Sequence, residues 1–135
     1  MAAEHIPTVR QIYDAMSRWD LAALAGSVSH DFELNLPESV PFGGTRHGPD
    51  GVEAFGTLFA DHLEGPWAEP DQFLDAGDAL VVIGRLRGVA KRTGREFEVP
   101  FAHVWTFSDG APSRCRSFYD TAPITAAIES VDAAS

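Results

Sequence analysis

The sequence predicts an α+β fold in which helices come first and an antiparallel sheet follows. In the first half of the chain, apolar residues recur with helical spacing; in the second half they alternate with period two. The chain has 135 residues, of which 44% are hydrophobic, and this suits one domain with one core. We therefore expect a single domain over residues 1–135, with no repeat or linker. Helices that precede a run of strands are typical of the α+β class.

Four helices are predicted. The first begins near Thr8, and its buried stripe consists of Val9, Ile12, Tyr13, Met16 and Trp19. Asp20 is suited to cap a short second helix that runs to Val28. Pro49 stands at the first position of a third helix, which residues 65–66 end; its buried stripe consists of Val52, Phe55, Leu58, Phe59 and His62. Asp120 opens a C-terminal helix as its N-cap.

Strands are predicted over residues 32–36, 67–74, 80–89, 95–107 and 113–119, and residues 37–48 are predicted as a loop. The segment 67–74 is interrupted by Pro70, which cannot donate a hydrogen bond to a neighbouring strand. In the hairpin formed by residues 80–89 and 95–107, Val82 and Phe101 are predicted to point inward. The arginines and glutamates then point outward, and opposite charges meet across the two strands. In the last strand the same alternation turns Cys115, Ser117 and Tyr119 inward and Arg114, Arg116 and Phe118 outward.

The charge balance excludes some partners. Twenty acidic residues against ten basic ones give a net charge of −10. Nucleic acid and anionic membranes are therefore not expected as partners, because phosphate contacts need a basic face. Cys115 is the single cysteine, and the N-terminus lacks a basic segment followed by an apolar one. We expect a cytoplasmic protein.

His103 is the strongest candidate for chemistry. It shares one face of its predicted strand with four large apolar residues, Phe97, Val99, Phe101 and Trp105. Such an imidazole is either a core group hydrogen-bonded to Tyr119 or the backbone, or the acid/base group of an apolar pocket. Burial would lower its pKa and keep it neutral, as a base or as a donor to a carbonyl. Tyr119 could assist it or be a core aromatic with a satisfied hydroxyl.

Three segments, residues 42–52, 97–107 and 118–121, resemble the SnoaL-like and ketosteroid-isomerase-like branch of the nuclear transport factor 2-like superfamily. The resemblance extends from Val9 to Ile128. It implies a curved, mixed or antiparallel sheet wrapped around N-terminal helices into a cone, with a deep apolar pocket and a homodimer. The fold hosts isomerases, cyclases, hydrolases, dehydratases and non-enzymes, so it does not define the activity.

The resemblance also implies which catalytic residues of relatives are missing. The base Asp of ketosteroid isomerases matches Leu36, and their oxyanion-hole Tyr falls near Ile12. Their protonated oxyanion-hole Asp matches His103. The last-strand Asp of limonene-epoxide hydrolases and the catalytic Asp of SnoaL both match Ser117.

The resulting hypothesis is a cofactor-free acid/base enzyme of isomerase, cyclase or dehydratase type. It would act on a hydrophobic polyketide- or steroid-like molecule, with His103 and Tyr119 as catalytic residues. No metal is expected, since the histidines lack paired ligand spacing. Two alternatives are a non-catalytic binding protein and an interaction module that uses the outer sheet face. The predicted pocket wall consists of Tyr13, Leu34, Leu36, Phe55, Phe59, His62, Trp67, Phe73, Leu86, Phe101, Trp105 and Ser117.

Overall fold

The helices lie on one side of the sheet in a computed structural model that describes residues 2–65 and 68–129. A 3₁₀ turn at Ala2–His5 leads into α1 (Ile6–Ser17), and α2 (Leu21–Gly26), α3 (Gly48–His62) and α4 (Ala122–Glu129) follow. Asp20 accepts a hydrogen bond from the Ala23 amide at 3.1 Å, which confirms it as the cap of α2. Among these helices, none combines the length and the apolar character that a membrane crossing needs.

The described residues form seven strands of one mixed sheet. They are β1 (Glu33–Leu36), β2 (Gly44–His47), β3 (Leu63–Glu64), β4 (Ala68–Asp75), β5 (Ala79–Ala90), β6 (Glu96–Ser108) and β7 (Ala111–Tyr119). The order is β2-β1-β7-β6-β5-β3, and β4 also pairs with β5. β1 runs parallel to β7, whereas the other pairs are antiparallel. The predicted α+β fold is confirmed: the sheet curls into a half-barrel against the N-terminal helices.

Three details differ from the prediction, and the expected interruption at Pro70 is confirmed. Residues 37–48 are not all loop, because the edge strand β2 pairs with β1; β2 is too short to show a clear alternation. The second helix ends at Gly26 rather than Val28. Trp19 has φ +56° and lies outside α1, although it still packs against the core. The register shifts between Pro70 and Gln72, so this proline is accommodated at a bulge.

The predicted alternation of β5 and β6 is confirmed. Val82, Leu86 and Phe101 are at most 3% exposed and line the concave face. On the outer face, Arg85 lies 3.3 Å from Glu98, as the pairing of opposite charges predicts. Glu69 of β4 joins this network, which the sequence analysis did not include. These exposed ion pairs specify the register more than they stabilise the fold.

Candidate functional site

The site is built on the concave face of β6, whose alternation turns Phe101, His103 and Trp105 inward. All three side chains are at most 6% exposed. The imidazole of His103 stacks on Phe101, with 4.1 Å between ring centroids. Tyr13 reaches across from α1, and its ring stacks on His103 at 5.7 Å. One helix and one strand therefore hold a single polar ring inside an aromatic cluster.

A chain of hydrogen bonds fixes the proton positions in this cluster. The indole Nε1 of Trp105 donates to Tyr13 Oη at 3.1 Å, and an indole nitrogen can only donate. Tyr13 Oη also hydrogen-bonds Nδ1 of His103. Since the phenol proton then has Nδ1 as its acceptor, the ring proton of a neutral His103 is on Nε2. The other tautomer would leave a buried tyrosine proton without an acceptor, which costs about 1–3 kcal/mol.

The second ring nitrogen of His103 is free. Within residues 2–65 and 68–129, Nε2 has no hydrogen-bond partner. The only side-chain nitrogen or oxygen in these ranges that is fully buried without a partner is Arg46 Nε. His103 Nε2 therefore keeps some accessible surface, although the residue is only 6% exposed. The site thus presents one N–H donor in otherwise apolar surroundings.

Burial sets the charge state of the cluster. It lowers the pKa of His103 from 6.5 to about 3, because no neighbouring carboxylate compensates the lost solvation of the imidazolium. Burial also raises the pKa of the Tyr13 phenol, and the nearby Cys115 raises it further. The hydrogen bond from Trp105 opposes this rise. Both rings are therefore neutral at pH 7, and the site offers a hydrogen-bond donor rather than a cation.

The neighbouring strand β7 supplies small and polar groups beside the imidazole. Ser117 pairs directly with His103 in the sheet and is 7% exposed. Burial raises the pKa of the nearby Cys115 thiol, and Ser117 opposes this rise. Tyr119 pairs with Phe101, and burial raises the pKa of its phenol as well. The Tyr119 hydroxyl makes no hydrogen bond within the described part of the chain.

A cleft opens where β1 separates from β7. Its volume is about 510 Å³, and it reaches Ser117 and Tyr119 from the outside. β1 pairs with β7 only as far as Asn35 and Arg116, so the strands diverge beyond this point. The remaining lining residues are Leu36, Pro37, Glu38, Arg114 and Phe118. The cleft ends one strand away from the imidazole.

The structure brings some of the predicted wall residues to His103. Phe73 contacts Tyr13 edge-on at 6.2 Å, and Trp105 contacts His103 edge-on at 6.4 Å. Leu34 and Leu36 on β1 are partly buried against the core.

Other predicted wall residues lie elsewhere. Phe55 and Phe59 of α3 pack against Phe42. Phe42 was not predicted to lie in the core. The Nδ1 atom of His62 lies 3.0 Å from Leu58 O of its own helix. Leu86 pairs with Val99, further along the sheet than His103. Trp67 lies outside the described residues.

One expectation about the polar cluster was wrong. The expected partner of His103 was Tyr119 or the backbone, but its partner is Tyr13. Tyr13 comes directly after Ile12, near which the resemblance placed a lost tyrosine, so a phenol is present in the interior after all. The apolar stripe of the first helix predicted that Tyr13 is buried. It did not indicate which strand Tyr13 would contact.

The comparisons with known proteins define the family. The SnoaL-like domain model matches residues 9–114. The chain belongs to this family, and its fold is that of nuclear transport factor 2-like proteins. No match was found among curated protein sequences.

Solved structures agree over nearly the whole chain. A nuclear transport factor 2-like protein of unknown function from Burkholderia pseudomallei is 32% identical with a TM-score of 0.84, over 93% of this chain and 97% of that one. TerC, co-crystallised with polyporic acid, is 27% identical with a TM-score of 0.84, over 93% and 98%. A putative SnoaL-like polyketide cyclase from Jannaschia is 21% identical with a TM-score of 0.76, over 93% and 92%, which shows the fold alone.

Proposed function

We propose that this protein is an enzyme that polarises a carbonyl group of a hydrophobic, polyketide- or steroid-like small molecule, in an isomerisation, cyclisation or dehydration. The observation that carries the proposal is the free Nε2–H of His103, held by the chain Trp105–Tyr13–His103. The family includes isomerases and cyclases. A neutral donor in a low-dielectric site stabilises an enolate oxygen, because it is already oriented before charge develops.

His103 is assigned the role of donor rather than base. Its Nδ1 accepts from Tyr13, so the imidazole has no free lone pair. Its pKa of about 3 also makes the imidazole a weak proton acceptor at neutral pH. A hydrogen bond from Nε2–H to a carbonyl oxygen requires no change in the protonation state of His103. Tyr13 and Trp105 act through His103 and are positioning residues.

Proton removal then needs another group, and we assign it to Glu38. Glu38 is the carboxylate among the residues that line the cleft between β1 and β7. It follows Leu36, the position that matches the base of ketosteroid isomerases, by two residues. Tyr119, whose hydroxyl has no partner within the described ranges, lines the same cleft and is assigned to orient the substrate oxygen.

The ligand of a related protein supports a small-molecule site. TerC, at 27% identity and a TM-score of 0.84, was crystallised with polyporic acid. This supports binding of a small organic molecule within the same fold.

Enolisation of a simple hydrophobic ketone tests the proposal without knowledge of the natural substrate. The probe is 1-tetralone in D₂O, with NMR detection of deuterium entry next to the carbonyl. We expect the wild type to exceed the buffer rate, and His103→Phe to lose about a hundredfold, since one oriented donor contributes about 3 kcal/mol. His62→Phe is the matched control, because it makes the same change at a histidine that lies beside its own helix backbone. Equal rates for His103→Phe and the wild type would remove His103 from the mechanism.

A further inference from the structure

The guanidinium group of Arg46 has no acidic partner among the described residues. It makes no ion pair within the described residues, and its only hydrogen bond there is a long one, from Nη2 to Gly43 O at 3.4 Å. Its Nε is fully buried and has no partner. Guanidinium groups stay charged in proteins, and a buried donor left unpaired costs about 1–3 kcal/mol. Such an exception calls for an explanation.

The position of Arg46 turns it towards the concave face. In β2, Thr45 and His47 are exposed, whereas Arg46 between them is partly buried. The backbone and Cβ of Arg46 pack on Gly51, where an added Cβ would come within 3.1 Å of them. The first turn of α3 therefore covers one side of the arginine stem.

The sheet register relates Arg46 to the aromatic cluster. Arg46 pairs with Leu34, Leu34 with Cys115, and Cys115 with Trp105. These four side chains form one row across β2, β1, β7 and β6, next to the row that contains His103. Three interstrand steps of about 4.8 Å span roughly 14 Å along the sheet. One long molecule can reach both ends.

We propose that Arg46 binds the acidic group, a carboxylate or ionised enol, of a hydrophobic substrate whose carbonyl lies at His103. This inference rests on the proposed function and adds the substrate class. Nη1 has no partner and is not fully buried, so it is the atom that an incoming oxygen reaches first. A small rotation of the guanidinium then brings Nη2, whose only hydrogen bond is the long one to Gly43 O, to the second oxygen, in the paired geometry that carboxylates prefer.

The overall charge makes a local cation necessary for such a ligand. The chain carries a net charge of −10, which repels anions. Several other cations are already occupied: Arg85 and Arg114 pair with carboxylates, and Arg10 lies over the ring of Phe73 at 4.3 Å. Arg46 combines the concave face with a free guanidinium edge.

A matched pair of probes tests the inference. The probes are 4′-acetylbiphenyl-4-carboxylate, a rigid keto acid, and its uncharged methyl ester, with affinities from calorimetry. We expect the wild type to bind the acid at least about tenfold more tightly than the ester, as a charge-assisted pair implies. Arg46→Met should lose this preference and leave the ester affinity unchanged. Arg46→Lys should keep part of the preference, and circular dichroism verifies that both variants fold.

Three results would overturn the inference: no binding of the acid by the wild type, equal affinities for acid and ester, or an equal loss for both probes in Arg46→Met. His103→Phe separates this inference from the proposed function. If that variant binds both probes like the wild type while Arg46→Met still loses the acid preference, the role of His103 fails and the role of Arg46 stands.

Discussion

Tyr13 donates its phenol proton to Nδ1 of His103, although the two residues are 90 positions apart in the chain. This contact joins α1 to the middle of the sheet. Because the same oxygen accepts from Trp105, it also determines which nitrogen of His103 carries the ring proton. The packing contact between helix and sheet therefore also determines the tautomer of His103.

Removal of the phenol should destabilise the fold and weaken the donor function together. In Tyr13→Phe, Trp105 Nε1 and His103 Nδ1 both lose their partner, which should lower the free energy of unfolding by about 1–3 kcal/mol. Urea titration measures this change. Combined with His103→Phe, the double variant should lose less than the sum of the single losses, by about 1 kcal/mol. Strict additivity would mean that the two residues do not interact.

The buried neutral histidine should make the protein sensitive to acid. The pKa of His103 is lowered to about 3, while the unfolded chain titrates near 6.5. Below pH 6.5 the unfolded state binds the extra proton, so stability is complete above that pH and falls as the pH drops towards 3, by at most about 1.4 kcal/mol per pH unit. His103→Phe should flatten this slope between pH 6.5 and 5, where carboxylates still contribute little. An unchanged slope in the variant would argue against a buried neutral ring.

Much of the fold follows from the periodicity of apolar residues, because that periodicity determines which side chains can be buried together. Alternation over 13 residues of β6 leaves little freedom, since a one-residue shift would bury its glutamates. β2 was missed because four residues with glycine and threonine show no period. The homodimer stays a prediction.

The candidate site was harder to predict than the fold. His103 stood out because a lone imidazole on an apolar strand face is unusual. The partner of that imidazole depends on how α1 crosses the sheet, which no local pattern encodes. Arg46 falls within residues 37–48, which were predicted as a loop, so the strand that turns it inward was not recognised.

Replacement of Arg46 should stabilise the unliganded protein. Arg46→Met keeps the apolar stem and removes a buried, unpaired Nε–H, so we expect about 1 kcal/mol more stability in urea. Arg85→Met is the matched control, since its guanidinium is ion-paired on the outer face. A loss of stability in Arg46→Met, larger than in the control, would show that the guanidinium is part of the structure.

β5 should not tolerate a side chain at Gly84, which pairs with Phe101 of β6. A Cβ at this position would lie 2.1 Å from Glu69 O and 2.8 Å from the Phe101 ring. Gly84→Ala should therefore cost about 1–3 kcal/mol through displaced backbone. Gly26→Ala, with no atom within 4 Å of the new Cβ, should change stability by less than about 1 kcal/mol. Thermal unfolding of both variants measures the difference, and similar melting temperatures would contradict the close approach of β4 and β5.

The base assignment is tested at the cleft. Glu38→Gln should lower deuterium exchange into 1-tetralone by at least about a hundredfold, as expected for loss of a general base. Glu53→Gln on the exposed side of α3 should leave the rate unchanged. If both variants exchange at the wild-type rate, proton removal uses a group other than Glu38.

The tautomer of His103 tests the central claim most directly. Long-range ¹H–¹⁵N correlation spectra of uniformly labelled protein at pH 7 distinguish the two nitrogens of each imidazole, and His103→Phe assigns the signals. We predict a neutral ring with its proton on Nε2 and a lone pair on Nδ1, and Tyr13→Phe should disturb this pattern. A proton on Nδ1, or a charged ring at pH 7, would contradict the account.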